Sequence, residues 1–256
     1  MSWTHERAGR SFRSVRTVTR SAAVAATPAT PGMRLYRSSV GKKAVMAITG
    51  GILVLYLAAH MVGNLKIFLG REEFDHYAHW LRTIGEPAIP HRAFLTAVEV
   101  VLAAAVALHM WSAVSLARRS HRARPVRYVA RPRAREDRYA VHVMRYGGIV
   151  IALFVIWHLL DLTVGTVNPR GGSARPYDRV VADFDPSRWY VTAFYIVAVI
   201  MVGLHLRHGL WSAFQTLGLG RQRRYRSLNA LAGGVSAALV IGFVSVPVMV
   251  TIGVVR

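Results

Sequence analysis

The sequence predicts an all-α fold: a polytopic membrane protein built as a five-transmembrane-helix bundle. Three observations predict it. Of the 256 residues, 53% are hydrophobic and only 18% are charged. A soluble domain of this size exposes far more charge relative to its apolar content. The apolar residues are gathered into five blocks of twenty or more, each long enough to cross a hydrocarbon core of about 30 Å at about 1.5 Å per helical residue. Alternating ten-residue segments, the mark of a membrane β-barrel, are absent. Lipid offers no hydrogen bonds to a backbone, so the spanning segments must be helical.

In chain order, residues 1–41 form an Arg-rich arm with Ala, Ser, Thr and Pro. Its apolar run Ser21–Ala26 is too short for a signal-peptide core, and the arm reads as a partly disordered cytoplasmic extension. Residues 42–256 form the membrane domain. Its spans are expected at about 44–66, 93–117, 144–166, 189–213 and 228–254. The loop 70–91 carries Phe74, Tyr77, Trp80 and Leu81 among polar residues and is expected to hold a short interfacial helix.

The net charge is +21, from 33 Lys and Arg against 12 Asp and Glu. No groove-reading motif accompanies it, so nucleic acid is not the expected partner. The charge instead lies between apolar blocks, where it orients the chain and meets anionic lipid headgroups. The arm to Lys43 and the loop Arg118–Arg138 hold nine basic residues each, and the loop after the fourth span holds four. The opposite loops and the C-terminus hold eight, together with the acids Glu72, Glu73, Asp75, Glu86, Asp178, Asp183 and Asp185, read as exposed. The positive-inside rule places the N-terminus in the cytoplasm and the C-terminus outside, in a cell (inner) membrane, with Trp80, Tyr177, Trp189 and Tyr190 as an interfacial belt. Cysteine is absent. That excludes disulfides and argues against a self-contained iron–sulfur cluster, whose usual ligands are Cys thiolates.

Each of the first four spans has one deep histidine: His60, His109, His158 and His205. His60 lies seventeen residues after Lys43 and His158 thirteen after Arg145, about 25 and 20 Å from the cytoplasmic side. Spans two and four run the other way, which puts His109 and His205 in the inner half. Depth therefore sorts the four into an outer pair, His60 with His158, and an inner pair, His109 with His205. Intramembrane ionisable residues are costly and usually functional, and two imidazoles on facing helices can supply both axial ligands of a haem iron. Gly50, Gly51, Gly63, Gly147, Gly148 and Gly203 would let a flat macrocycle or a helix come close. Spacing alone leaves polar packing and proton transfer open beside cofactor binding.

Four stretches around these histidines resemble one family. They are Ser38–Lys43 with Met46–Gly50; His60–Leu65; Met144–Gly148 leading to His158–Asp161; and Gly203–Gly209 through Trp211–Gly218. Glu99 and His109 add to them. On these residues the chain resembles the cytochrome b membrane-anchor subunit of succinate dehydrogenase and fumarate reductase (respiratory complex II), in its single-chain five-helix form, from about residue 38 to 254. The resemblance implies a flavoprotein subunit that handles succinate or fumarate, an iron–sulfur subunit that relays electrons, and quinone as their partner in the membrane. It implies two haems b, one held by His60 and His158 and the other by His109 and His205. One haem, none, or an iron–sulfur cluster completed by a partner's cysteines is the alternative. The oligomeric state stays open, a higher oligomer included.

Quinone reduction consumes two protons with two electrons, so a quinone site needs hydrogen-bond partners and a proton path. Ser38, Ser39, Lys42, Lys43, Arg145 and Tyr146 are candidates at the cytoplasmic end. Glu99, about 10 Å inside Arg92, is a candidate near the outer pair, as a buried carboxylate able to carry protons. Arg145 and Arg207 are candidates to neutralise haem propionates. Lys66 and Asp161 are charge partners at the outer level, with a structural Lys66–Asp161 pair as the plainer reading. His208, three residues past His205, is the weaker ligand candidate. A transporter would call for inverted repeats or broken helices, and a metallohydrolase for HExxH spacing; neither is present.

Overall fold

The computed structural model describes residues 38–123, 142–172, 174–218 and 225–256. The arm to residue 37, most of the basic loop after the second span, and Arg221, Arg223 and Arg224 lie outside the described residues. Within them the fold is all helical. Five helical segments are long and apolar enough to cross a membrane: 39–69, 93–122, 143–164, 186–216 and 225–251.

Helix α1 (Ser39–Leu65) starts where Ser38 Oγ accepts the Gly41 N–H at 2.9 Å, a side-chain cap for a helix end otherwise short of acceptors. One tighter turn, Lys66–Leu69, closes the first span. Helix α2 (Arg71–Thr83) is the short amphipathic helix expected in the following loop, with Glu72 and Glu73 at its positive N-terminus. Helix α3 (Ala93–Arg122) is the second span and ends in Arg119, His121 and Arg122, which complement the negative end of the helix dipole.

The third span is α4 (Gly148–His158) between two widened, i→i+5 turns, Val143–Gly147 and Leu159–Val164. The second widened turn bears Asp161 and stops at Gly165. Gly165 has φ 84°, and a Cβ there would meet Gly172 Cα at 2.5 Å, so only glycine fits the reversal. Helix α5 (Pro176–Asp183) lies in the next loop. The fourth span is α6 (Trp189–Thr216), entered through Pro186–Arg188, and the fifth is α7 (Tyr225–Thr251).

Span one packs against spans two, four and five, span three against four, and span four against five. First against third, and second against fourth, do not pack extensively against each other among the described residues. Gly203 brings α6 onto α7 so closely that a Cβ would sit 2.3 Å from Val240 Cγ2. Outward faces stay apolar and exposed, as at Ile48, Leu55, Val100, Trp111, Leu153 and Ile241. A lipid solvent requires that pattern.

The bundle has two unlike ends. At the basic end, Arg119 Nη1 donates to Ser39 Oγ at 3.4 Å and Arg145 Nη1 donates to His121 Nε2 at 2.9 Å, which brings the starts of spans one and three to the end of span two. At the far end, Ile67, Phe74, Tyr177, Phe184, Val191, Tyr195, Val246, Val250 and Val255 form the main core. The Tyr177 N–H donates to Asp75 Oδ1, its hydroxyl donates to Arg256 O at 2.9 Å, and Arg71 pairs with Asp178. These contacts clasp α2, α5 and the C-terminus together. Tyr177, expected in an interfacial belt, is thus buried in this clasp.

Candidate functional site: two histidine pairs and a buried acid cluster

His60 and His158 meet across the bundle with ring centroids 5.9 Å apart and planes at 85°. His109 and His205 meet with centroids 6.4 Å apart. Each pair joins two spans that do not pack extensively against each other among the described residues.

Their surroundings differ. The His60 ring stacks on Tyr56, 5.3 Å between centroids, and touches Phe243. The His158 ring touches Phe154 and Tyr195, at 5.7 and 6.0 Å. Phe154, Phe184 and Phe194 complete an aromatic cluster around Tyr195. The other pair has small residues and hydrogen bonds instead. His109 Nδ1–H donates to Met46 O at 3.1 Å, with Thr49 Oγ1 at 3.3 Å. Because a carbonyl only accepts, that bond puts the proton on Nδ1 and leaves the Nε2 lone pair free. A Cβ on Gly50 would lie 3.3 Å from His109 Cε1, and one on Gly148 would lie 3.8 Å from His205 Cε1. Glycines of spans one and three thus flank the inner rings. The Nδ1 atoms of His158 and His205 are buried without a hydrogen-bond partner. Among the described residues, no group of three or more His, Cys, Asp or Glu side chains converges as a metal site.

The cytoplasmic-end candidates gather loosely. Ser38 caps α1, and Ser39 accepts from Arg119. Lys42 is buried and bonded to Ser115 Oγ, whereas Lys43 is exposed. Arg145 is bound to His121, and Tyr146 is 63% exposed beside His142. Arg207 is exposed, and His208 is half-buried one turn beyond His205.

Three expectations are corrected at the far end. Glu99 is not buried: its side chain is 48% exposed and pairs with Arg92 Nη2 at 3.4 Å. Lys66 does not pair with Asp161. Its ammonium lies over the Tyr77 ring, 5.3 Å from the centroid, since the tight turn at Lys66–Leu69 directs it toward α2. Asp183, read as an exposed loop acid, is fully buried together with Asp161. Asp161 Oδ1 accepts from Asn168 Nδ2 at 3.2 Å and Oδ2 accepts from the Tyr195 hydroxyl at 2.9 Å. Arg179, counted among the loop bases, is buried and donates to Thr163 O at 3.1 Å.

Two neighbouring loop acids are pushed in opposite directions. Burial, reinforced by Asp161, raises the Asp183 pKa to about 8, with Arg188 opposing. Hydrogen bonds from the Ser187 hydroxyl and N–H hold exposed Asp185 below the usual carboxylate value. Asn168, Tyr195, Asp183 and Arg188 were not singled out from the sequence. A usable signal was the amphipathic pattern Tyr177, Val180, Val181 and Phe184, which turns one face of α5 inward.

Comparison with known protein families, with curated proteins and with solved structures finds no match.

Proposed function

We propose that the chain is the membrane-anchor subunit of a succinate:quinone oxidoreductase, passing electrons from an iron–sulfur partner subunit to quinone. The observation that carries this reading is the pairing of one histidine from each of four spans into two couples at different depths.

The donor set fits a bis-imidazole haem. Each couple would supply two imidazole ligands from two different spans. The couples stand at 5.9 and 6.4 Å. Each couple offers two ligands without a third side chain converging, which suits a metal that brings its own equatorial nitrogens. Gly50 and Gly148 let the His109 and His205 rings lie close against the backbones of spans one and three. The hydrogen bond from His109 to Met46 fixes the tautomer and orientation a ligand needs.

On this reading His60 with His158 and His109 with His205 hold two haems b, which supply one-electron carriers at two levels. The protein's own work is to orient the imidazoles and exclude water. Lys42, Lys43, Arg145 and Arg207, all toward the basic end, offset propionate or headgroup charge, with Ser38, Ser39 and Tyr146 as quinone hydrogen-bond candidates there. Succinate chemistry belongs to a flavoprotein partner. The basic end faces the cytoplasm by the positive-inside rule.

Reduced-minus-oxidised spectra of the purified chain test this. A b-type absorption is expected, with co-purifying flavoprotein and iron–sulfur subunits. An iron–sulfur EPR signal without b-type absorption would transfer the histidines to a cluster shared with the partner. Neither signal, in a chain purified without partners, would end the reading.

A further inference from the structure

Asp183 ends α5 with its side chain fully buried, and neither carboxyl oxygen has a hydrogen-bond partner. Arg188 Nη1 lies 3.1 Å from Oδ1 but does not aim an N–H along that line. Its side chain is 19% exposed, although Nη1 itself is buried. Asp161 is the neighbouring carboxyl, and it accepts from Asn168 and Tyr195. The groups that face Asp183 are therefore Asp161 from the third span, the Tyr195 phenol from α6, and Arg188 from the turn that leads into α6. On its own helix, buried Arg179 donates to Thr163 O.

Charge decides the protonation. Asp161 and Asp183 put two carboxyls in one buried site, and an ionised Asp183 would carry a surplus negative charge that no hydrogen bond stabilises. A buried carboxylate without donors is among the least tolerable groups in a protein interior. One proton cancels the surplus. It also makes Asp183 a donor next to Asp161, whose oxygens are already acceptors.

We propose that Asp161 and Asp183 form a buried acid pair that holds one exchangeable proton at neutral pH, a proton-binding site at the far end of the bundle. Arg188, in the turn that leads into α6, is the cation beside the pair, 3.1 Å from Asp183 Oδ1. Tyr195 ties the site inward, since its hydroxyl bonds Asp161 and its ring lies 6.0 Å from that of His158. The pair stands whatever the histidines carry, so its test does not share its outcome with the spectra above.

Infrared spectroscopy of the full chain in lipid vesicles reads the proton directly. A protonated-carboxyl C=O band is expected at pH 7, shifted in D2O and lost on raising the pH past about 8. Asp183→Asn should remove it and Asp161→Asn should move it. If Asp183→Asn does not fold, Asp183→Glu serves, and a changed band frequency is expected. Absence of the band at pH 7 in the native chain overturns the proposal. So does a band that survives Asp183→Asn, or one left unmoved by Asp183→Glu.

Discussion

The two histidine pairs are built from the same residue type in different surroundings. His60 and His158 are caged by Tyr56, Phe154, Tyr195 and Phe243 and lie near the buried acids. His109 and His205 sit against glycines, and His109 is tied to a backbone carbonyl. An aromatic cage holds a ring by packing, while a glycine face lets the ring lie close to a helix backbone and one hydrogen bond fixes its direction. The comparison teaches that the same pairing of histidines is held at two depths by two means, and that the far-end pair neighbours a phenol that bonds a buried carboxyl.

The sharpest way to break the comparison is to delete one pair at a time. On the proposed function, His60→Ala or His158→Ala and His109→Ala or His205→Ala should each abolish one of two centres. The b-type absorption would then fall by about half, since each iron needs both axial imidazoles. Equal and complete loss in all four variants would mean that the pairs are not separate sites. Tyr195→Phe should come next. It leaves Asp161 Oδ2 without its 2.9 Å donor, at a cost of about 1–3 kcal/mol for a buried acceptor left unpaired. Thermal or denaturant unfolding in detergent would measure it.

The pH dependence separates the ends further. The folded pKa of Asp183, about 8, lies above the ordinary carboxylate value. Between those values the folded state binds the extra proton, so this stabilisation is full below about pH 4 and is lost as pH rises through about 8. The melting temperature should accordingly be lower at pH 9 than at pH 6, and Asp183→Asn should flatten the difference. The smallest effect is expected from Gly50→Ala. Its Cβ would meet His109 Cε1 at 3.3 Å, so the ring must give by a few tenths of an ångström. The spectrum or potential of the basic-end centre should shift while the other stays unchanged, at a stability cost below about 1 kcal/mol.

Much of this was legible in the chain. The five spans emerge within a few residues of their expected limits, because hydropathy over twenty residues is a local property that tertiary packing hardly alters. The helix in the loop after the first span was legible for the same reason, through its own amphipathic pattern. The pairing that counting along helices of constant rise predicts, His60 with His158 and His109 with His205, is the pairing in which the rings meet. Counting says nothing about rotation around a helix axis. Glu99 shares the apolar stretch with His109 yet is exposed. Loop acids looked alike as well, and Asp183 and Asp185, two residues apart, ended in opposite environments because α5 buries one face and then stops.

By itself the sequence determined that the chain crosses lipid as five helices, with basic residues at one end and one deep histidine in each of four spans. Those are consequences of composition, length and a fixed helical rise. Only the tertiary structure decided which imidazoles face each other, which glycines stand against them, and that two carboxyls from distant segments share a buried site. Such neighbourhoods depend on how helices are rotated and where a loop folds back at Gly165, and those choices are made by packing across the whole bundle rather than by any single stretch of residues.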